Sequence, residues 1–311
     1  MLISICIPTY NSGEKLERLL NSVAIQTYKN FEIIISDDSR NDSVKEIIDT
    51  KYSNLPIHYY KNETALGTPN NWNNAVSKSK GDWINLMHHD DWFINENSLQ
   101  KFAEAAQHNS LSTIIFCNYY HIYTDKGNKE KLGATSFDIF LLKQNYLNLY
   151  KLFIGNPSCT LINKHYKPYA YDTTFKWLID YDFYTSLFKK NKNFTFISDE
   201  LVNLGMHSEQ VTAFVFQNPK VEIPESIALI HKHGENILKN IFVYDFFWRM
   251  YRNLNIKSIE EFNNHLPQPC HYKAINDIIN IQSSFKKETL NIGVLNKLFT
   301  VFYFFKNFFK N

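Results

Sequence analysis

Four short apolar runs in the first 90 residues alternate with segments whose apolar positions recur every three or four residues. The runs at 2–7, 31–35, 57–60 and 83–87 are typical of buried β-strands, and Pro8 is expected to end the first. Helical spacing follows the first two runs, over residues 16–23 and 44–48, and a short helix is predicted over residues 70–78 after the third. Strands that are apolar on both faces and alternate with helices predict an α/β fold with a mostly parallel sheet flanked by helices.

The connections after these strands carry the polar side chains that suit a ligand. Right-handed crossovers place the loops at 8–13, 37–43, 62–69 and 88–92 along one edge of the sheet, where open α/β sheets bind ligands. The last loop contains the sequence HHDD at 88–91. Carboxylate oxygens suit Mg²⁺ or Mn²⁺, and either metal suits a diphosphate. The alternative is a polar loop that caps a helix starting near Asn95.

Composition narrows the class of protein. The 311 residues include 33 Lys and Arg against 31 Asp and Glu, so the net charge of +2 gives no reason to expect nucleic acid as a partner. Four scattered cysteines without a CxxC pair argue against a zinc ribbon or a disulfide framework and fit a reducing compartment. Without a basic N-terminal region or an apolar stretch of about 18 residues, we expect neither a signal peptide nor a membrane span.

Two glycine-rich phosphate motifs are absent from the sequence. No GxGxxG follows the first strand, and no GxxxxGK[ST] occurs. These absences argue against a dinucleotide fold and a P-loop. A nucleotide would therefore be held by side chains and a metal ion.

Five motifs occur in the order and spacing of the family 2 glycosyltransferases, which have the GT-A fold. They are SICIPTYN at 4–11, SDDSRND at 36–42, NETALG at 62–67, KGDW at 80–83 and HHDD at 88–91. The chain resembles this family over roughly residues 2–212. The resemblance implies a GT-A domain over 1–215, with the donor site in 1–125 and the acceptor half in 126–215. A helical C-terminal region, 216–311, would follow.

The resemblance implies a donor site made of Pro8, Thr9, Tyr10, Asp38, Gly67, His88 and Asp90. The first three would wall the nucleobase and ribose. Asp38 would accept a hydrogen bond from the base imide N–H, which favours uracil or thymine over guanine. Alternatively, Asp37 and Asp38 form an Asx-type turn that caps the helix at 43.

The metal motif departs from the family pattern, which reads Asp-x-Asp-Asp where this chain has HHDD. Asp90 keeps the position that ligates the metal, so we expect dependence on Mn²⁺ or Mg²⁺. An imidazole binds Mn²⁺ but is a poor ligand for Mg²⁺. His88 would therefore bind the metal, or hydrogen-bond the ribose or a phosphate oxygen.

A second candidate metal ligand lies far along the chain. Residues 203–212 resemble the family's His-containing loop that closes over the diphosphate. His207 would ligate the metal or contact a phosphate, and Gln210 and Thr212 would add hydrogen bonds. A solvated loop histidine is the alternative.

The candidate catalytic base lies in WLIDYDFY at 177–184, which resembles a helix start where the family carries Glu-Asp. Asp180 matches the catalytic Asp, and Ile179 replaces the Glu. An inverting transfer needs one carboxylate to take the proton of the acceptor hydroxyl, and a helix N-terminus favours the ionised form. We expect Asp180 to be the base, with Asp182 as the fallback. Alternatively, both are N-terminal helix charges.

Beyond residue 215 the pattern is helical, and the last segment is rich in aromatic residues. One face of a C-terminal helix would carry Leu295, Leu298, Phe299, Phe302, Phe305 and Phe309. Lysines 297, 306 and 310 would lie elsewhere. Such an amphipathic tail suits a membrane interface, and docking on the core or on a second subunit is the alternative.

These features predict an inverting, metal-dependent glycosyltransferase that uses a nucleotide sugar, with a UDP-sugar favoured. The acceptor would be a surface glycan or a lipid-linked saccharide, and the enzyme would be cytoplasmic and peripheral to the inner face of the cell membrane. Two alternatives stay open. One is a catalytically silent glycosyltransferase-like binding subunit, which the departures at His88 and Ile179 favour. The other is a sugar-1-phosphate nucleotidyltransferase, although residues 8–13 lack its glycine-rich loop.

Overall fold

A computed structural model describes residues 1–125, 127–152, 154–208, 210 and 214–309, so Thr212 and Lys310 lie outside the described residues. Within this part of the chain, nine strands form one sheet. The strands are β1 Ile3–Thr9, β2 Phe31–Asp37, β3 Ile57–Lys61, β4 Trp83–Leu86, β5 Trp92–Phe93, β6 Ile114–Tyr123, β7 Asn128–Leu132, β8 Thr160–Asn163 and β9 Phe194–Met206.

The α-helices follow the strands in the first half and dominate the second. They are α1 Gly13–Ala24, α2 Ser43–Lys51, α3 Asn70–Lys78, α4 Ser98–His108, α5 Ser136–Gln144, α6 Ile179–Lys190, α7 Pro219–His233, α8 Ile241–Leu254, α9 Ile259–Asn263, α10 Lys273–Ser283, α11 Lys287–Asn291 and α12 Gly293–Phe308. The predicted helix over 70–78 is confirmed as α3.

The sheet confirms the predicted α/β class. Its strand order is β3-β2-β1-β4-β8-β6-β9-β5, with β7 beside β6. The pairs β1–β2, β2–β3 and β1–β4 are parallel, as predicted, and so is β6–β9. The strands β8, β5 and β7 pair antiparallel with their neighbours, so the second half of the sheet is mixed.

The first strand runs through Pro8, and the predicted break there is wrong. Pro8 pairs in register with Ser36, and β1 ends one residue later. The Cys6 carbonyl points toward β4, where it accepts the N–H of Met87 at 2.9 Å. The Pro8 nitrogen faces the same side by strand alternation, but β4 has already ended at Leu86. A proline whose nitrogen faces past the end of the neighbouring strand removes no hydrogen bond from the ladder, so Pro8 is tolerated there.

Side chains that alternate along the strands enter two separate cores. Ile5 and Ile7 point to the core that α1 and α4 cover. Cys6 and Ile84 point to the opposite face, where the core continues through Phe183 of α6 and Phe247 of α8. The C-terminal helices therefore bury one face of the sheet and pack against the helix that carries Asp180.

The last helix, α12, docks through a partly polar face. Asn296, Thr300 and Phe304 are buried, and Asn296 accepts a hydrogen bond from the Trp248 indole at 2.8 Å. The outward face carries the exposed apolar side chains of Val294, Leu298, Val301, Phe302, Phe305 and Phe309. Of the face expected from the sequence, only Leu295 and Phe299 are half-buried. Among the described residues, no helix has the length and apolarity needed to cross a bilayer.

Candidate active site

The carboxyl ends of β1 and β2 hold a buried aspartate that stabilises the first two loops. Asp37 is fully buried and accepts hydrogen bonds from the Thr9 hydroxyl at 3.0 Å, the Tyr59 hydroxyl at 2.8 Å and the Ser39 N–H at 2.9 Å. The bond to Ser39 is an Asx turn, as one alternative expected. It does not cap α2, because the N-cap residue of α2 is Asp42.

Asp38 holds the loop between β3 and α3. Its carboxylate accepts the N–H groups of Leu66 at 3.0 Å and Gly67 at 2.9 Å, and the Asn62 amide at 2.8 Å. Gly67 has a φ of +70°, a conformation that favours glycine. Only the Gly67 bond engages Asp38 Oδ2 among the described residues, so this oxygen keeps a lone pair for a base imide.

The first loop leaves an aromatic ring on the surface. Thr9 is buried, whereas Tyr10 is 51% exposed. The Pro8 carbonyl accepts a hydrogen bond from His89, and burial lowers the pKa of that imidazole. His89 thus has a structural contact, while the Tyr10 ring is open to a planar ligand.

His88 is half-buried beside a tryptophan, and one of its ring nitrogens is buried without a partner among the described residues. Its backbone N–H donates to the Ser158 hydroxyl at 2.9 Å, and its Nδ1 lies 3.9 Å from Asp91 Oδ2. The Trp72 and His88 ring centroids are 4.6 Å apart. Burial lowers the pKa of His88 to about 4, so the ring is neutral at pH 7. Among the described residues, Nε2 makes no hydrogen bond.

Asp90 contacts His207 across 117 positions of sequence. His207 Nε2 lies 3.1 Å from Asp90 Oδ2, which also accepts the Gln210 amide at 2.8 Å. On the other side of the ring, His207 Nδ1 lies 3.5 Å from Lys15 Nζ. Burial opposes ionisation of Asp90, but the bonds from His207 and Gln210 outweigh it and hold its pKa well below the usual value.

Asp91 is buried and bonded on both oxygens. Oδ2 accepts the Ser158 hydroxyl at 2.5 Å and the Asn156 amide at 3.0 Å, and Oδ1 accepts the Gly205 N–H at 3.1 Å. Burial, and then the charge of Asp90, raises its pKa well above the usual value. Ligand atoms of His88, Asp90 and Asp91 lie within 4.8 Å of one another. Because the oxygens of Asp91 are engaged, it orients this cluster.

Asp180 lies in the first turn of α6 and is half-buried. Its Oδ1 is buried and makes no hydrogen bond among the described residues. Burial raises the pKa of Asp180 to about 7. Desolvation therefore outweighs the stabilisation of the carboxylate that was expected from the helix N-terminus. A carboxylate that titrates near neutral pH suits a general base.

Asp182, the fallback base, is committed to an ion-pair network. Its two oxygens contact Lys232 Nζ and His233 Nε2, each at 2.8 Å, and it is 2% exposed. It therefore joins α6 to α7 and is not open to an acceptor.

Aromatic rings connect the two unpartnered polar groups. Trp72 packs against His88 and, edge-on, against Tyr171 at 5.4 Å. Tyr171 also stacks on Phe183, with ring centroids 4.0 Å apart, and Phe183 lies on α6, the helix that carries Asp180. Aromatic rings beside a few buried polar atoms are typical of sites that bind small molecules.

Comparison with known proteins identifies the family. The model of glycosyl transferase family 2 matches residues 4–168, more than half of the chain. The chain belongs to this family. An uncharacterized glycosyltransferase of Rickettsia typhi is 25% identical over 225 residues, which are 68% of this chain and 66% of the relative. The match thus takes in slightly less than two thirds of that relative's length.

Solved structures show the GT-A-type glycosyltransferase fold. S. aureus TarS 1–349 in complex with UDP-GlcNAc matches with a TM-score of 0.57 at 16% identity, over 97% of this chain and 79% of that chain. The mannosyltransferase PcManGT from Pyrobaculum calidifontis, in complex with GDP-Man and Mn²⁺, matches with a TM-score of 0.59 at 12% identity, over 100% and 88%. At identities of 16% and 12%, these two likenesses show a shared fold and nothing further about this chain.

Two basic residues beside the acidic cluster were not predicted from the sequence. Lys15 contacts His207, and Arg18 donates to the Asp90 carbonyl at 3.0 Å while its guanidinium lies 3.7 Å from the Trp92 ring centroid. They lie three apart on α1, and hence on one face. The sequence signal for these residues was their position in the helix that follows the first strand. Apolar spacing alone does not indicate which face of that helix meets a ligand.

The site predicts a strict requirement for glycine at 205. A Cβ there would lie 2.4 Å from the Asp90 carbonyl oxygen, a backbone atom that Arg18 also holds. We expect Gly205→Ala to displace Asp90 and weaken nucleotide binding at least tenfold in calorimetry. Gly293→Ala is the matched control, because a Cβ at Gly293 meets nothing within 4 Å. Equal affinity in the two variants would contradict this geometry.

Proposed function

We propose that the protein is an inverting glycosyltransferase that moves a sugar from a nucleotide sugar, with a UDP-sugar favoured, to a saccharide or lipid-linked saccharide acceptor. Asp180 carries this proposal. A buried carboxylate oxygen without a partner is destabilising, and the pKa of about 7 suits proton transfer at neutral pH. The rings of Trp72 and Tyr171 connect His88 of the acidic cluster to Phe183 of α6, the helix that carries Asp180. A donor sugar would meet an acceptor along these rings.

The donor nucleotide would lie at the carboxyl ends of β1 and β2. Tyr10 offers an exposed ring for the base, and the remaining lone pair of Asp38 Oδ2 offers an acceptor for an imide N–H. Uracil carries that imide, and S. aureus TarS, a neighbour in fold, is described in complex with UDP-GlcNAc. We therefore favour a UDP-sugar over a GDP-sugar.

The residues around Asp90 fit a divalent metal ion. Asp90 Oδ1 takes no hydrogen bond among the described residues, and the proton that His207 Nε2 shares with Asp90 Oδ2 marks a position that a cation can replace. The unpartnered His88 Nε2 is a third donor within the cluster. Two imidazoles and a carboxylate favour Mn²⁺ over Mg²⁺. When bound, the ion would offset the charge of the leaving diphosphate.

Transfer would proceed by one displacement. Asp180 takes the proton of the acceptor hydroxyl as that oxygen attacks the anomeric carbon. The bond from that carbon to the diphosphate oxygen breaks, and its electron pair leaves with the nucleotide. Attack opposite the leaving group inverts the configuration. Lys15 beside His207 supplies positive charge where the diphosphate charge develops.

The two alternatives explain fewer of the contacts. A silent subunit would not need the buried, unpartnered Oδ1 of Asp180, because burying a polar atom without a hydrogen bond is destabilising. A nucleotidyltransferase would need a phosphate-binding loop after β1, and only residues 10–12 separate β1 from α1. Glycosyl transfer accounts for both the acidic cluster and the separate base.

We also propose that α12 lies on an anionic lipid surface. Its outward face is apolar, with Phe302 59% and Leu298 59% exposed, while the face against the protein carries Asn296 and Thr300. A helix that packs only against its own protein core has the opposite arrangement, with its apolar face inward and its polar face in solvent. The helix contains Lys297 and Lys306 and no acidic residue, so its charge complements anionic headgroups.

The base assignment predicts an acid limb in the pH profile. Asp180 must be ionised to act, so kcat/KM should fall below about pH 7. Asp180→Asn should lower kcat at least ~100-fold and leave nucleotide affinity nearly unchanged. Because its folded pKa exceeds its unfolded value, Asp180 destabilises the fold as pH rises from about 4 to about 7. Asp180→Asn should therefore raise the melting temperature at pH 8.

Asp138→Asn is the matched control, since Asp138 also lies in the first turn of a helix but caps α5 and pairs with Lys151 away from the site. Its pH–rate profile should equal that of the wild type. A lower melting temperature for Asp180→Asn at pH 8, or a loss of nucleotide affinity equal to the loss of turnover, would contradict the assignment.

The donor and metal assignments predict nucleotide binding that depends on Mn²⁺. In calorimetry, UDP should bind more tightly than GDP, and removing Mn²⁺ with a chelator should weaken binding at least tenfold. Asp90→Asn should abolish the metal dependence, while His88→Asp should raise the affinity for Mg²⁺ relative to Mn²⁺ because a hard oxygen replaces nitrogen. Failure to bind any of UDP, GDP, dTDP and CMP would favour the silent-subunit alternative.

The surface proposed for α12 predicts selective vesicle binding. The protein should cosediment with phosphatidylglycerol vesicles and poorly with phosphatidylcholine vesicles. Replacing Leu298, Phe302 and Phe305 together by Ser should abolish cosedimentation, because these side chains would enter the lipid interface. Replacing Phe137 and Phe140 of α5 by Ser is the control, since both are exposed outside α12. Equal binding to both lipids would refute the role of the lysines.

A further inference from the structure

Helix α7 contacts the backbone that leads into Asp180. The Glu225 carboxylate accepts three successive N–H groups, from Lys176 at 2.6 Å, Trp177 at 2.9 Å and Leu178 at 2.9 Å. Leu178 is the N-cap residue of α6, and no side chain of that cap bonds to the helix. A carboxylate from another helix therefore occupies the N-terminal end of α6, where its charge is favourable.

The same helix holds the chain on the other side of Asp180. Lys232 and His233 of α7 contact the two oxygens of Asp182 at 2.8 Å each, and Lys232 also contacts Asp172 at 2.7 Å. Residues seven or eight apart lie on one face of a helix. One face of α7 thus holds the segment from 172 to 182 before and after Asp180.

These contacts matter because no hydrogen bond to Oδ1 fixes the side chain of Asp180 among the described residues. Its Oδ1 is buried without a hydrogen bond among the described residues, so the backbone sets the position of the carboxylate. Glu225 is 6% exposed, and burial raises its pKa despite the three N–H donors. A buried carboxylate is costly unless its bonds are made, and Glu225 makes them to the backbone next to Asp180.

We propose that α7 acts as a clamp, formed by Glu225, Lys232 and His233, and that Glu225 is a positioning residue for the catalytic base. The clamp lies in the C-terminal helices, outside the family-matched residues 4–168. This inference rests on the proposed function, because it takes Asp180 as the base. Donor binding belongs to the opposite half of the site and does not involve the clamp.

Glu225→Gln tests the clamp, because an amide keeps the shape but directs N–H groups at N–H donors. Glu32→Gln is the matched control. Glu32 is equally buried and accepts the Ser4 hydroxyl and the Lys80 N–H, each at 2.6 Å, at the start of β2, away from the site. Hydrogen exchange of residues 176–182 reports the clamp without any turnover. Steady-state kinetics with a UDP-sugar report its effect on the base.

In Glu225→Gln we expect faster exchange over 176–182, a 10- to 100-fold lower kcat and a donor KM within twofold of wild type, since small displacements of a reacting group have effects of this size. The acid limb should also move to lower pH as water reaches Asp180. Glu32→Gln should change none of these. Unchanged exchange in Glu225→Gln would overturn the clamp, and faster exchange with unchanged kcat would overturn the positioning role.

A second variant guards against misfolding of Glu225→Gln. Lys232 is 38% exposed at its side chain, so Lys232→Met should fold while releasing Asp172 and Oδ2 of Asp182, with Oδ1 still bound to His233. It should show the same pattern at a smaller size, with kcat reduced roughly three- to tenfold. Faster exchange in a wild-type-like fold, combined with no turnover of any sugar nucleotide by the wild type, would refute the proposed function while supporting the clamp.

Discussion

The site depends on the buried carboxylate of Asp91. Its oxygens join the loop after β4 to Asn156 and Ser158, which precede β8, and to Gly205 of β9. Ser158 also accepts the backbone N–H of His88. The contacts of Asp91 therefore also hold His88, which is one of the candidate metal ligands. Burial and the charge of Asp90 raise the pKa of Asp91, and the three donors offset part of the cost of desolvation. Loss of any of these segments would remove a hydrogen bond from a buried carboxyl group, which explains why they converge here.

Two polar groups on the same wall are not satisfied within the protein. His88 Nε2 and Asp180 Oδ1 are buried without partners among the described residues, and Trp72 and Tyr171 form the apolar surface between them. Each unpaired atom costs about 1–3 kcal/mol. A bound sugar, metal ion or acceptor hydroxyl would remove that cost. The contrast with Asp91 separates the residues that build this site from those that would meet a ligand.

Local patterns predicted the first half of the fold well. Apolar runs and helical spacing depend on neighbouring residues, so β1 to β4 and α3 were predictable. The family resemblance gave Asp90 and His207 as metal ligands, which stays a prediction. Features that depend on tertiary contacts were not predictable in this way. The predicted strand break at Pro8 is wrong because β4 ends at Leu86. The helix dipole was expected to favour the ionised form of Asp180, but burial outweighs the dipole and raises the pKa. The ion pairs of Asp182 depend on α7, 50 residues away.

The stereochemistry of donor hydrolysis tests the central claim most directly, because water can replace an unknown acceptor. The anomer first released from UDP-GlcNAc in the presence of Mn²⁺ can be followed by proton NMR before mutarotation. Single displacement assisted by Asp180 predicts that the α-linked donor yields the β-anomer, and that Asp180→Asn releases almost none. Release of the α-anomer, or an undiminished β-signal from Asp180→Asn, would contradict the account.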